Sequence, residues 1–546
     1  MTASVVNPLA GQAYAAAATG WQPVGAPMHR GSELAAQWPA FVLANRSALL
    51  LFRCAGEPLP DVPQVQENLN RARAEVLHYG ARAYAAGMPC LRFTQPAYLP
   101  LVLPAGASPY SSGELLLDGC AVGVGVLERA APPCGEFEGV QAAASALGWE
   151  WFHGGVIVRA VGGPEGELRL PDQVSAADQL HFMRRFFGDL WMGYVACRLV
   201  TAGMFPPAVV ARAVMDARRH RCRPAPLALR RTVVPTAASP ATVAVLIPTV
   251  DRVAYLRAAL EQLRAQTHRA AQVIVVDQTP EASRDLALEA DFPDLPLHVV
   301  RLQAAGQSSA RNAGIHHVRA DWTLLLDDDI DFPPTLIAQH VALCEATGAD
   351  VSVGVATEDG VAPLPEAQRG WRLSPVLMGG NSLVRTALLR EVGGFDLAFD
   401  GGSRADGDLG LRLQRAGALM LLDGANSLHH HHAPRGGLRV HKARTVTRAS
   451  ARQRIWGRHP VVATELYICL RHFGEWSLRE VRLLRLFSGL RMDGGRLAQV
   501  ARLTVGVLTL WREWRRQEKG VAQARVMAVT HPSLEDFERC QIQGRS

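Results

Sequence analysis

Three aspartates in a row follow an apolar run in Leu324-Leu325-Leu326-Asp327-Asp328-Asp329. Adjacent carboxylates repel and raise one another's pKa unless a cation joins them. Hard oxygen donors favour Mg²⁺ or Mn²⁺, commonly held by one or two carboxylates plus substrate phosphates. Strand alternation continued through the run would point Asp327 and Asp329 one way and Asp328 the other. The bland alternative is a solvated acidic turn that caps the next helix, ahead of Pro333-Pro334. A second candidate is Gly306-Gln307-Ser308-Ser309-Ala310-Arg311-Asn312-Ala313-Gly314. It reads as a helix whose glycine- and serine-rich start favours anions, with Arg311 able to face a diphosphate. Pro248-Thr249 and Asp277 also stand where apolar runs stop.

To act together, these residues need strands that end on a common rim. Apolar runs at 243–247, 272–276, 297–302 and 322–326 are interleaved with helical spacing at 253–266 and 333–347. Such alternation predicts an α/β fold, a mostly parallel sheet with helices on both faces. Ligands of these sheets bind beyond the carboxyl ends of the strands. Pro248, Thr249, Asp277 and Asp327–Asp329 would then share one rim.

The ordered strings resemble a family 2 glycosyltransferase with the nucleotide-sugar-binding GT-A fold. They are Val245-Leu246-Ile247-Pro248-Thr249, Val275-Val276-Asp277, Ala310-Arg311-Asn312-Ala313-Gly314 and Leu326-Asp327-Asp328-Asp329, followed by Gly379-Gly380-Asn381-Ser382, Val392-Gly393-Gly394-Phe395-Asp396 and Asp406-Gly407-Asp408-Leu409-Gly410-Leu411-Arg412-Leu413. The resemblance covers roughly 242–432. It implies that Pro248 and Thr249 contact the nucleoside and that Asp277 bonds the base. Arg311 would lie near the diphosphate or sugar. Asp327 and Asp329 would form the DxD metal motif, with Asp327 and Asp328 counted among the donor-binding residues. Gly380 and Asn381 would line the sugar side, and Asp406 would be the general base. The implied reaction is metal-dependent, inverting transfer from a nucleotide-diphosphate sugar, of the hexosyltransferase class. Asp406 would equally suit a helix N-cap.

The strings also depart from the family. Ala405 stands where the family usually has glutamate, Gln278-Thr279-Pro280 follows Asp277, and Val250-Asp251-Arg252 replaces an aromatic–Asn–Arg string. Of the histidines at 429–432, family members often supply one to the metal or diphosphate, and alternation favours His430 or His432. Solvated loop histidines are the alternative.

Composition bounds the rest. The 546 residues are 48% hydrophobic and 20% charged, with a mean hydropathy of +0.04, which excludes a disordered tail protein. The net charge is +7. Residues 435–525 hold 20 basic and 6 acidic residues, +14, leaving −7 elsewhere. That asymmetry suggests a local anionic partner, such as the face of a membrane, rather than nucleic acid. Nine scattered cysteines without a CxxC pair argue for a reducing, cytoplasmic setting, and the basic tail would allow a peripheral place at the inner membrane face. No secretion signal or membrane-spanning run is visible.

The expected parts are an unassigned mixed α/β region at 1–235, the GT-A domain at 241–435 and a basic helical extension at 436–546. In the first part, strand-like runs lie at 48–52, 115–117 and 156–161, and helical patterns at 65–86 and 177–194. His153, His181 and the cysteines there read as packing or surface residues. At 477–520 arginines interleave with apolar residues, and glycines divide two helices. Their apolar faces would pack on the protein or lie in an anionic interface. The resemblance to family 2 glycosyltransferases implies an acceptor that is a glycan, lipid-linked intermediate or small molecule of a bacterial cell-surface pathway. Rival readings are a nucleotidyltransferase on a related sheet and a degenerate, non-catalytic nucleotide-sugar-binding module.

Overall fold

A computed structural model describes residues 11–54, 57–80, 88–94, 109–162, 174–219, 233–235, 239–360, 362–434, 436, 462–488 and 495–530. The chain forms two compact units: residues 1–230 with 370–373, and residues 231–369 with 374–546.

The first unit is built on a seven-stranded sheet in the order Gly20–Met28, Gly11–Ala17, Leu50–Cys54, Cys120–Val122, Val76–Gly80, Val158–Gly162, Tyr110–Ser111. Val76–Gly80 and Val158–Gly162 pair in parallel, and the other neighbours antiparallel. Three sequence expectations change here. The pattern at 65–86 is a helix, Val62–Ala72, that stops at Arg73 in the left-handed region (φ 50) and turns into the strand Val76–Gly80. Residues 81–87 lie outside the described residues. The pattern at 177–194 is broken by Gly188 (φ 88) into Ala176–Phe187 and Asp189–Thr201. The run at 115–117 is buried but is no strand, because Gln141 takes its backbone groups: Leu117 N–H donates to Oε1 at 3.0 Å, and Nε2 donates to Leu115 C=O at 2.8 Å.

In the second unit the strands run in the order Leu297–Arg301, Gln272–Asp277, Val243–Thr249, Trp322–Leu326, Asn381–Arg385, Val351–Thr357, Met420–His430, Ile330–Asp331. The first four are mutually parallel, and the apolar runs 243–247, 273–276 and 322–326 in the inner three are almost fully buried. Continuous apolar runs are what a sheet buried on both sides requires. Val243–Thr249 lies between Gln272–Asp277 and Trp322–Leu326, both later in the chain, so the strand order reverses at this strand. Thr249 and Asp277 are paired across it, and the acidic run leaves the adjacent strand at the same end. The helix Gln307–His317 lies close on this sheet because position 314 is glycine. A Cβ there would collide with Leu246.

Beyond the sheet, the helix Ala463–Ser488 kinks at Gly474 (φ 78) and buries Leu466, Tyr467, Cys469 and Leu478 in this same unit. A second long helix, Arg496–Thr530, follows. Residues 489–494, where the sequence expects the break between them, lie outside the described residues. Among the described residues, no helix is long and apolar enough to cross a membrane.

Candidate active site

The strand Trp322–Leu326 ends before the aspartates, so its alternation does not extend to them. Asp328 and Asp329 both pair with Arg252, and Asp327 pairs with Arg311. Buried Asp328 accepts from Thr249 Oγ1 and from Arg252 Nη1, both at 2.7 Å. Arg252 also lies 3.2 Å from Asp329. Asp329 accepts the backbone N–H of Ala433 at 2.7 Å and lies 3.0 Å from His430 Nε2.

These neighbours split the two acids. Burial pushes the Asp328 carboxyl up to about 6, against the pull of Arg252. Desolvation would raise Asp329 too, but His430, Arg252 and the Ala433 N–H outweigh it and hold this carboxyl at about 2. Asp327 is the open member, its side chain 33% exposed, with Arg311 Nη2 at 3.1 Å.

Two consecutive glycines connect this rim to the expected base. A Cβ at Gly379 would stand 3.3 Å from Asp406 Cβ and 3.7 Å from Arg311 Nη2, and one at Gly380 would meet Asp327 Oδ2 at 2.5 Å. Side chains there would fill the space between Asp406, Arg311 and Asp327. Asp406 lies in the first turn of the helix Ala405–Arg415, and its Oδ1 accepts its neighbour's N–H, that of Gly407, at 2.9 Å. The capping contact expected of an N-cap, to an N–H two or three residues on, is not made by this side chain.

On the base side, Pro248 sits beside Thr249 at the strand end. Asp277 is buried and its Oδ1 accepts from Thr279 N–H at 2.9 Å, while Thr279 Oγ1 accepts from Asp251 N–H at 3.0 Å. The two loops that differ from the family strings are thus tied to each other.

Three expectations are corrected. Asn381 does not line the sugar side. Its side chain is fully buried and bonded to His340 at 2.9 Å and to the carbonyls of Val355 and Asn426. The N-terminus of Gln307–His317 does not wait for a diphosphate either, because Asp400 Oδ1 accepts from Ser308 and Ser309 N–H, both at 2.7 Å. Arg311 reaches the rim from within that helix. Of the four histidines, His430 meets Asp329, whereas His432 meets Glu358 at 3.0 Å and lies against His430 at a tilt of 56°, with ring centroids 4.0 Å apart. His431 pairs with Asp331 at 2.7 Å.

Sequence reasoning missed a second charged group. Asp408 is fully buried, with Arg412 Nε at 2.8 Å, His472 Nε2 at 2.8 Å and Arg471 Nη1 at 3.3 Å. Arg471 also pairs with Asp396. Against a desolvation that would raise it, Arg412, His472 and Arg471 hold the Asp408 carboxyl far below the usual carboxylate range. The i, i+4 spacing of Asp408 and Arg412 is visible in the sequence; the contribution of the helix Ala463–Ser488 is not.

A mixed sheet, parallel around its strand-order reversal and ending there in an acidic rim, gives the second unit a GT-A α/β fold. Residues 244–394 match the sequence model of Glycosyl transferase family 2, so this segment is a domain of that family. An uncharacterized glycosyltransferase, YwdF, of Bacillus subtilis (strain 168) is 26% identical over 167 residues, 28% of this chain and 62% of the relative. One of Haemophilus influenzae is 33% identical over 91 residues, 16% of this chain and 30% of the relative. Among solved structures, a mannosyltransferase of Pyrobaculum calidifontis in complex with GDP-Man and Mn²⁺ aligns with a TM-score of 0.35 and 19% identity, covering 64% of this chain and 97% of the other. S. aureus TarS 1–349 in complex with UDP aligns at 0.31 and 16%, covering 49% and 71%.

Proposed function

We propose that the chain transfers a sugar from a nucleotide-diphosphate donor to an acceptor hydroxyl with inversion, and that Asp406 is the base. The observation that carries this reading is the Gly379-Gly380 turn, which leaves room between Asp406, Arg311 and Asp327. Asp406 accepts the acceptor's proton as the oxygen attacks the anomeric carbon. Arg311 faces the diphosphate that leaves. Pro248, Thr249 and Asp277 border the nucleoside at the strand ends.

The donor set suits Mg²⁺ or Mn²⁺. Asp327 and Asp329 would supply hard oxygens, with His430 beside Asp329, and phosphates of a bound donor would add further oxygens. When bound, the ion supplies Lewis-acid stabilisation of the leaving diphosphate. Arg252 and Arg311 hold the carboxylates in place when no ion does.

The test is Mn²⁺-dependent hydrolysis of nucleotide sugars. Asp406→Asn lowers turnover by about 10²–10⁴-fold while nucleotide binding persists. Absence of both hydrolysis and metal-dependent nucleotide binding overturns the reading. Binding without turnover in the wild type selects the non-catalytic module instead, a reading that Ala405 in place of the family's glutamate favours.

We also propose a peripheral seat on the inner face of an anionic membrane, near a glycan or lipid-linked acceptor. Support comes from the helix Arg496–Thr530. Leu497, Val500, Val507, Leu508, Trp511 and Trp514 recur at helical spacing and are exposed, Leu497 by 89% and Leu508 by 77%. Arg512, Arg515 and Arg516 are exposed beside them. An apolar stripe with aromatics and arginines is what an anionic interface holds. Co-sedimentation with anionic vesicles at low salt, weakened by salt, is the expected result; no binding at low salt removes the proposal.

A further inference from the structure

We infer that the N-terminal unit carries a Zn²⁺ site formed by Cys134, Glu136 and His181. One sulfur, one carboxylate oxygen and one imidazole nitrogen of these residues all lie within 4.8 Å of one another, the single such group among the described residues. His181 Nε2 is 3.5 Å from Glu136 Oε2. Zn–S bonds of ~2.3 Å and Zn–N and Zn–O bonds of ~2.0–2.2 Å place tetrahedral ligands roughly 3.3–3.8 Å apart. The Glu136–His181 pair already stands at that spacing, and small side-chain rotations bring in the sulfur.

The three donors come from two parts of the chain that are fixed to each other. Cys134 and Glu136 lie in the loop before the helix Val140–His153, and His181 lies in the helix Ala176–Phe187. Asp178, one turn before His181, accepts Glu138 N–H at 2.8 Å and Gly139 N–H at 3.0 Å. Ser175, which caps the same helix, donates to Glu138 Oε2 at 3.0 Å. The loop is therefore fastened to the helix that bears the histidine. The His181 ring stacks on Phe137, with centroids 4.6 Å apart and planes at 21°, which fixes its orientation. Burial is graded: Cys134 and His181 are buried, and Glu136 is partly exposed.

Charge and softness select the ion. A thiolate and a carboxylate together carry two negative charges, which a dication cancels with the imidazole neutral. Thiolate with imidazole suits Zn²⁺, whereas Mg²⁺ and Mn²⁺ prefer all-oxygen shells. Three protein ligands leave a tetrahedral ion one further position, on the side of the exposed Glu136, where water binds. That ligand count belongs to reactive centres, since sealed structural sites use four. The site owes nothing to the acidic rim of the second unit.

The experiment uses the metal-stripped full-length chain titrated with Co²⁺, then with Zn²⁺. The expected result is a thiolate-to-cobalt charge-transfer band with tetrahedral d–d bands, displaced by about one equivalent of Zn²⁺. The bands are lost in Cys134→Ser and His181→Ala. Glu136→Gln, at a partly exposed position, keeps the band and weakens Zn²⁺ by about tenfold or more. Metal-free circular dichroism and thermal unfolding show which variants are folded, and if the buried pair fails to fold, Glu136→Gln decides. A wild-type chain without the thiolate band, a folded Cys134→Ser variant that retains it, or a Glu136→Gln variant with unchanged Zn²⁺ affinity overturns the inference.

Discussion

The acidic rim and the buried group around Asp408 are built from the same kinds of residue and differ in their balance of charge. At the rim, Asp327, Asp328 and Asp329 face two guanidinium groups, Arg252 and Arg311, with one imidazole beside them. Around Asp408, the two carboxylates Asp396 and Asp408 meet two guanidinium groups, Arg412 and Arg471, and His472 fills the remaining contact. The first group is one positive charge short, and one of its carboxylates is open to solvent. The second is balanced and buried. A pair of charges out of water is stable only when matched and fully bonded; a mismatch at the end of a sheet is a place for a cation and a phosphate.

The largest effect expected from breaking the balanced group is Asp408→Ala, which leaves Arg412 and Arg471 buried without their shared partner. It costs about 3–5 kcal/mol in urea unfolding, and Mn²⁺ does not restore it. A smaller effect, with the opposite metal response, is expected at the rim. Arg252→Ala removes the guanidinium shared by Asp328 and Asp329 and costs about 1–3 kcal/mol, part of which Mn²⁺ restores in thermal unfolding. If Mn²⁺ rescues both variants or neither, the two regions do not differ in the way their charges indicate.

Acid unfolding sharpens the same contrast. The folded-state pKa of Asp408 is depressed, so its stabilisation is fully present above the ordinary aspartate value near 3.8 and is lost as pH falls toward the folded value. Asp408→Asn therefore flattens the acid limb of a stability–pH curve. Asp328 has the opposite sign: its carboxyl is raised to about 6, so its contribution is present below 3.8 and is lost as pH rises through 6. Asp328→Asn raises stability above pH 6 relative to wild type in the absence of metal. An effect of similar size to that of Arg252→Ala, about 1–3 kcal/mol of stability with an unchanged KM for the donor, is expected of Asn381→Ala, whose amide serves the interior. A raised KM without loss of stability would return Asn381 to the sugar side.

The strands at the centre of the sheet were legible because burial on both faces demands continuous apolar runs, and 243–247, 272–276 and 322–326 are such runs. Their polar ends were legible for the same reason: the change from Leu326 to Asp327 marks where the sheet stops. What followed was not. Alternation was carried past Leu326, where the backbone had left the strand. The helix start at Gly306 looked like an anion site because its internal partner, Asp400, lies 94 residues after it in the chain. His472 and Arg471 reach Asp408 from a helix more than 60 residues away. The Cys134, Glu136 and His181 group spans 47 positions without a local motif. Ion pairs and ligand sets made across such separations leave no periodicity to read.

The most direct test of the central claim is calorimetric titration of a nucleotide-diphosphate sugar into wild type, Asp327→Asn and Asp329→Asn, with and without Mn²⁺. A rim one positive charge short predicts binding that Mn²⁺ strengthens in the wild type, with that strengthening lost in both variants. Binding that is the same with and without Mn²⁺, or a strengthening by Mn²⁺ that both variants retain, contradicts it.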